Sequence, residues 1–128
     1  MLVLGIETSC DETAVSVVQD GKKILVNLVA SQAEIHERYG GVFPEIASRH
    51  HIDCLLPLIE EATKDNPIDL IAVTQGPGLM GALLMGVTAA KTLAYGWNKP
   101  IVGVNHVEAH LYAAMMETDP VFPALGVV

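Results

Sequence analysis

His106 and His110 stand four residues apart, and on a helix that spacing sets two imidazoles on one face, one turn apart, as two ligands of a single metal ion must be. Glu108 lies roughly 200° round the helix from His106 and cannot serve the same ion from that face. The metalloprotease pattern HExxH is not met, because it needs a glutamate directly after the first histidine, where this chain has Val107. A working site needs a third protein ligand. His36, His50 and His51 are available, but spacing places none of them beside the pair. Two solvated histidines on an amphipathic helix would give the same pattern.

Three further segments carry chemistry. Ser9-Cys10-Asp11-Glu12-Thr13 joins two carboxylates and two hydroxyls in a short polar run between apolar stretches. Such a turn could donate to a phosphate, hold a cation or take a proton, or it could be an ordinary solvated turn with Cys10 turned into the core. Gly76-Pro77-Gly78-Leu79-Met80-Gly81 is a glycine-rich strand-to-helix turn whose backbone N–H groups could meet an anion. It matches neither GxGxxG nor a Walker loop, and close packing is the stronger reading of its glycines. The segment from His36 to Arg49 holds both arginines of the chain, Arg38 and Arg49, suited to a phosphate or carboxylate or to local pairing with Glu37 and Glu45.

The elements that must position these groups follow from hydropathic period and turn signals. Leu2 to Ile6 and Thr13 to Val18 read as strands forming a hairpin with the acids at its tip. Asp20-Gly21 signals a type I′ turn into a third strand, Lys23 to Ser31. Pro44 can start a helix with apolar positions Ile46, Ala47, Leu55, Leu56, Leu58, Ile59 and Ala62, which Pro57 should kink or split near Asp53. A strand from Leu70 to Thr74, a helix from Leu79 to Tyr95, a strand from Ile101 to Val104 and a helix from His106 to Glu117 complete the order. The expected fold is α/β, a three-stranded meander followed by βαβα with a mixed sheet. Residues 1–119 form this lobe, and 120–128 begin a further strand from Phe122 that leads into a second lobe not contained in the chain.

Composition sets the limits. The 128 residues, 51% of them hydrophobic, suffice for one core and one domain. A net charge of −8 argues against an intrinsic polyanion-binding surface, so that an RNA substrate would need other surfaces to hold most of it. Two cysteines are too few for a disulfide scaffold and fit a reducing, cytoplasmic setting. The apolar start, Met1 to Ile6, has no basic flank and is interrupted by Glu7, so neither a signal peptide nor a membrane span is expected.

Taken in order, Gly5-Ile6-Glu7-Thr8-Ser9-Cys10-Asp11-Glu12-Thr13, Tyr39-Gly40-Gly41-Val42-Phe43-Pro44-Glu45-Ile46-Ala47-Ser48-Arg49, Gly76-Pro77-Gly78-Leu79 and His106-Val107-Glu108-Ala109-His110 resemble the N-terminal part of the TsaD family. Its members are tRNA adenosine threonylcarbamoyltransferases, once labelled O-sialoglycoprotein endopeptidases, and the SCDET form is similar to the bacterial branch. The resemblance implies an actin-like ATPase, ribonuclease H-like lobe and transfer of a threonylcarbamoyl group from threonylcarbamoyl-AMP to N6 of the adenosine beside the tRNA anticodon. It implies His106 and His110 as ligands of one divalent metal, iron rather than zinc, with the third ligand an aspartate in the second lobe. Asp11 would be the base, Ser9 and Glu12 would position the donor, and Thr8, Gly76, Pro77 and Gly78 would contact substrate.

By the same resemblance the partners are a TsaB-like paralogue, on the helices Glu45 to Thr63 and Leu79 to Tyr95, a TsaE-like ATPase and tRNA. No membrane is involved, and an exposed lobe face could pair with a second copy. The chain alone is expected to be inactive. Two other classes compete. A non-catalytic TsaB-like scaffold would lack the histidine pair, and a sugar kinase of the same fold would lack both that pair and the SCDET acids. A metalloprotease fails on the position of Glu108.

Overall fold

The computed structural model describes residues 1–116 and 121–127. Five strands form one sheet in the order β3-β2-β1-β4-β5. The strands β1 (Leu2–Glu7), β2 (Glu12–Gln19) and β3 (Lys23–Ser31) make the antiparallel meander, and β4 (Leu70–Gly76) and β5 (Ile101–Asn105) add to the other side of β1 in parallel. Parallel neighbours need crossovers. These are supplied by α2 (Pro44–Thr63) and α3 (Met80–Trp97), preceded by a short α1 (Ala33–Glu37) and followed by α4 (His106–Met116). Asp20 and Gly21, at φ of 51° and 74°, form the β2–β3 turn as the sequence predicts, because a type I′ turn needs left-handed backbone at both central residues.

Alternation along the strands decides where the core lies. Leu4, Ile6, Val15, Val17, Ile71 and Val73 point to one face and are closed over by Leu55, Ile59 and Ala62 of α2 and Ala90 and Ala94 of α3. Each large side chain removed from water there contributes about 1.5–3 kcal/mol. The opposite face carries Gly5, Ala14, Ser16, Asn27 and Ala72, which line a shallow cleft of about 330 Å³ with His106 and His110 of α4 at its side.

Two expectations are corrected. The helix α2 runs unbroken through Pro57. Both Pro57 and Asp53 are exposed, so the carbonyl that the missing N–H leaves free is open to solvent, while Ala47, His51, Leu55, Ile59 and Ala62 keep a continuous buried stripe. Between Ser31 and Pro44, where the sequence signals no element, Ala33–Glu37 folds into α1. The strand expected from Phe122 is not formed over 121–127, which no ladder pairs to the sheet, while Pro120 and Val128 lie outside the described residues. The helix expected to reach Glu117 is described to Met116, Glu117 itself lying outside the described residues.

Candidate metal centre and active-site cleft

The strand β5 delivers the histidine pair. It ends at Asn105, whose side-chain oxygen accepts from the backbone N–H of Val107 at 2.9 Å and of Glu108 at 3.2 Å, so α4 starts at His106 itself. One turn on, His110 brings its Nε2 to 3.0 Å from His106 Nε2, with the rings edge to face. Two bonds of about 2.1 Å to one ion, held at roughly a right angle, span about that distance. The pair therefore fits two positions on a single metal. Among the described residues no third His, Cys, Asp or Glu joins them to make a three-ligand group.

A carboxylate that sequence reasoning did not assign to the site lies behind the first histidine. Glu7, the last residue of β1, places Oε2 at 3.0 Å from His106 Nδ1 and accepts from the Thr74 hydroxyl of β4 at 2.5 Å. Its Oε1 accepts from the backbone N–H of Ser9. Burial alone would push this carboxyl up, but the hydrogen bonds from Ser9, Thr74 and His106 outweigh it and hold Glu7 below the ordinary carboxylate range. An ionised Glu7 makes Nδ1 the protonated nitrogen of His106, shared with Ser9 Oγ at 3.2 Å, and leaves the Nε2 lone pair facing outward. The available signal was Glu7 as the closing residue of a buried strand, on the face opposite Ile6.

The polar turn is anchored through its carbonyls. The carbonyl of Ser9 accepts from Leu79 N–H at 2.7 Å, that of Cys10 from His51 Nε2 at 3.0 Å and that of Asp11 from Gln32 N–H at 3.0 Å. Ser9, Cys10, Pro77, Gly78, Leu79 and His106 line a cleft of about 300 Å³. The turn, the glycine-rich segment and the first histidine thus meet. Asp11, half-buried, and Glu12, exposed, follow at the outer end of the turn and are not among the residues lining that cleft. Burial and the charge of Asp11 push the Cys10 thiol up, away from nucleophilic use.

Packing accounts for the glycines and for Thr8. A Cβ on Gly78 would stand 2.6 Å from the Ser9 carbonyl oxygen, so only glycine lets the two turns meet. Thr8 is buried, and its hydroxyl donates to Ala82 O at 2.8 Å and accepts from Gly86 N–H at 3.2 Å, bridging one rung of α3. This tie gives Thr8 a structural role within the protein. Gly76 and Pro77 form the bend between β4 and α3, with Gly76 at a φ of 152° that favours glycine.

The remaining histidines are not spare ligands. In the buried network below α1, Phe43 N–H donates to His36 Nδ1 at 3.2 Å, His36 Nε2 donates to Gln32 Oε1 at 3.0 Å, and Gln32 Nε2 donates to Ala47 O at 3.3 Å. His51 bonds Cys10 and Thr13, and His50 lies 3.3 Å from Cys54 Sγ. On the outer faces of α2 and α3, Ile52, Leu56, Met80 and Leu84 are all more than half exposed. No helix among the described residues is long and apolar enough to cross a membrane.

The sheet order and crossovers are those of an actin-like, ribonuclease H-like α/β lobe. "YeaZ from Pseudomonas aeruginosa" superposes with a TM-score of 0.68 at 17% identity, over 91% of this chain and 49% of that one. The Holliday-junction enzyme RuvC of T. thermophilus superposes with a TM-score of 0.56 at 18% identity, over 91% of this chain and 75% of that one. These likenesses define the fold alone.

The chain belongs to the TsaD family, whose model, described as tRNA N6-adenosine threonylcarbamoyltransferase, matches residues 23–128. Relatives bearing that name include proteins from Protochlamydia amoebophila, 58% identical over all of this chain and 39% of the relative, and Bacillus subtilis, 57% identical over all of this chain and 38% of the relative. The chain thus spans under two fifths of the length of these relatives.

Proposed function

We propose that this chain supplies the N-terminal lobe of a tRNA N6-adenosine threonylcarbamoyltransferase. The reaction joins the threonylcarbamoyl carbon of threonylcarbamoyl-AMP to N6 of the adenosine beside the anticodon, breaks the bond from that carbon to the AMP phosphate oxygen, and releases AMP and the N6 proton. The observation that carries this reading is the meeting of Ser9, the Pro77-Gly78 turn and the Glu7-oriented His106 in one cleft, with His110 one turn beyond. A scaffold of the same fold has no use for such a pair.

In this reading His106 and His110 hold one divalent ion, iron in preference to zinc, through their facing Nε2 atoms. That ion, when bound, supplies a positive centre for the oxygens of the donor. Glu7 fixes which His106 nitrogen faces outward, and Ser9 braces the same ring. Asp11 takes the N6 proton as the new bond forms, with Ser9 and Glu12 positioning the donor. Gly78 brings the strand-to-helix turn against Ser9, and Gly76 and Pro77 complete the wall that meets the donor.

The third metal ligand and the rest of the cleft come from a second lobe, so the chain alone is inactive. The protein acts in the cytoplasm. A TsaB-like paralogue covers Ile52, Leu56, Met80 and Leu84, and the same apolar faces support self-association of an isolated lobe. A TsaE-like ATPase and tRNA complete the assembly, the paralogue offsetting the acidity of a chain with a net charge of −8. The test is threonylcarbamoyl transfer to tRNA by this chain alone and by the full-length enzyme carrying it. Transfer by the full-length enzyme that is lost in His106→Ala is expected, and undiminished transfer in that variant overturns the reading.

A further inference from the structure

Three successive carbonyls of the active-site turn are each held by a different element, and only one of the three holders is a side chain. Leu79 and Gln32 use backbone N–H groups that any residue but proline would supply. His51 alone uses its ring, from the second buried position of the stripe on α2 that begins one turn earlier at Ala47 and continues at Leu55. It is fully buried, and it also lies 2.8 Å from the Thr13 hydroxyl where β2 begins. The imidazole therefore spans the turn, bonding it just before Asp11 and just after Glu12.

Hydrogen bonding and burial together fix the state of the ring. A carbonyl only accepts, so Nε2 carries the proton toward Cys10; full burial disfavours a second proton, and the neutral ring then accepts the Thr13 hydroxyl proton at Nδ1. Among the described residues no carboxylate bonds it. The polar groups around it are the Cys10 carbonyl and Thr13 on the turn, the neighbouring His50 on α2, and the more distant charges of Asp11 and Glu7. A leucine at this site would fill the space and leave a buried carbonyl and a buried hydroxyl without partners.

We propose that His51 is the positioning residue of the Ser9–Thr13 turn, a neutral imidazole that sets where Asp11 and Glu12 stand by holding Cys10 through Nε2 and Thr13 through Nδ1. This rests on the transferase reading for its catalytic consequence, though not for its geometry. Displacements of about 1 Å in a catalytic group cost on the order of 100-fold in rate. The effect falls on kcat, because His51 touches neither metal ligands nor the cleft.

Two measurements test it. Nitrogen-15 spectra of the imidazoles in this chain should show His51 protonated on Nε2 and not on Nδ1, with the Nε2 proton slow to exchange. The opposite tautomer, or a ring exchanging freely with water, overturns the proposal. In the full-length enzyme, His51→Leu should lower kcat on the order of 100-fold, with KM for tRNA and metal content unchanged. His51→Gln matches Nε2 and should restore most of the rate. His51→Asn matches Nδ1 and should restore less, by about tenfold. Equal rates for Gln and Asn, or rates that simply follow thermal stability, reduce His51 to a core residue and overturn the proposal. The Gln and Asn pair decides the matter even if His51→Leu does not fold. A wild-type enzyme without transfer activity would sink the transferase reading, and the imidazole spectra would still decide the clamp.

Discussion

Glu7 and His106 are separated by 99 residues in the chain, and their side chains meet at 3.0 Å. The contact joins the end of β1 to the first residue of α4 and fixes the direction in which His106 presents its free nitrogen. Removing a carboxylate behind a metal-binding histidine typically costs about 10–100-fold in affinity. Glu7→Gln should therefore weaken iron or zinc binding by about that factor, with both histidines still in place. Metal titration of the variant against the parent and against His110→Ala checks it, and parent-like affinity in Glu7→Gln would refute it.

The buried neutral state of His51 gives stability a pH dependence of defined sign. Burial pushes its pKa below the ordinary 6.5, against the hydrogen bond to the Cys10 carbonyl, which raises it. The unfolded chain binds the proton first as pH falls. The contribution is complete above 6.5 and is lost as pH drops from there through the folded value. Glu7, whose pKa is lowered from 4.5, loses its contribution only below that value, so the two windows are separate. Urea midpoints measured from pH 8 to pH 5 should fall, and His51→Gln should flatten the slope.

Gly86 meets Thr8 so closely that a Cβ would stand 2.5 Å from its hydroxyl oxygen. Gly86→Ala should break the Thr8 bridge and cost about 1–3 kcal/mol, as overpacking in a fitted core does. Gly78→Ala confronts backbone rather than a hydroxyl and should in addition displace Ser9. Denaturant unfolding measures the first loss, and the transfer assay on the full-length enzyme measures the second.

Pro57 sits exposed inside an unbroken helix. Pro57→Ala restores an N–H for the carbonyl of Asp53 and removes the ring from the preceding turn. It should stabilise the chain by up to about 3 kcal/mol. A thermal melt with an unchanged or lower midpoint would contradict this.

Leu84 on α3 and Ile52 on α2 are exposed to 56% and 58%, with no packing role in the lobe. Leu84→Glu and Ile52→Glu should leave the melting temperature within a few degrees while reducing capture of a TsaB-like paralogue at least tenfold, about 1.4 kcal/mol. Binding titrations with the purified paralogue check the outcome.

Most elements were legible because each has a local signature. Asp20-Gly21 fixes the hairpin, alternation marks β1 and β2, and the spacing of His106 and His110 needs only a helix beneath it. Pro57 misled because its effect depends on whether Asp53 faces water, which the sequence does not say. The structural tie of Thr8 was hidden for a related reason. Its hydroxyl donates to Ala82 O and accepts from Gly86 N–H, partners more than 70 residues away that no local pattern shows. Glu7 and His51 were missed as site residues because each acquires its role from a partner distant in sequence, His106 for one and Cys10 for the other. The choice of Ser9, Asp11 and Glu12 came from resemblance, and the structure adds the anchoring that makes their turn one body.

That anchoring turns the outside of the lobe toward its centre. Ile52 and Met80, both exposed on the faces assigned to the paralogue, are the chain neighbours of His51 and Leu79, which grip the carbonyls of Cys10 and Ser9. One peptide unit therefore separates the exposed apolar faces from the legs on which the turn stands. In the proposed assembly, a partner seated on these helices would bear directly on the residues that hold the turn.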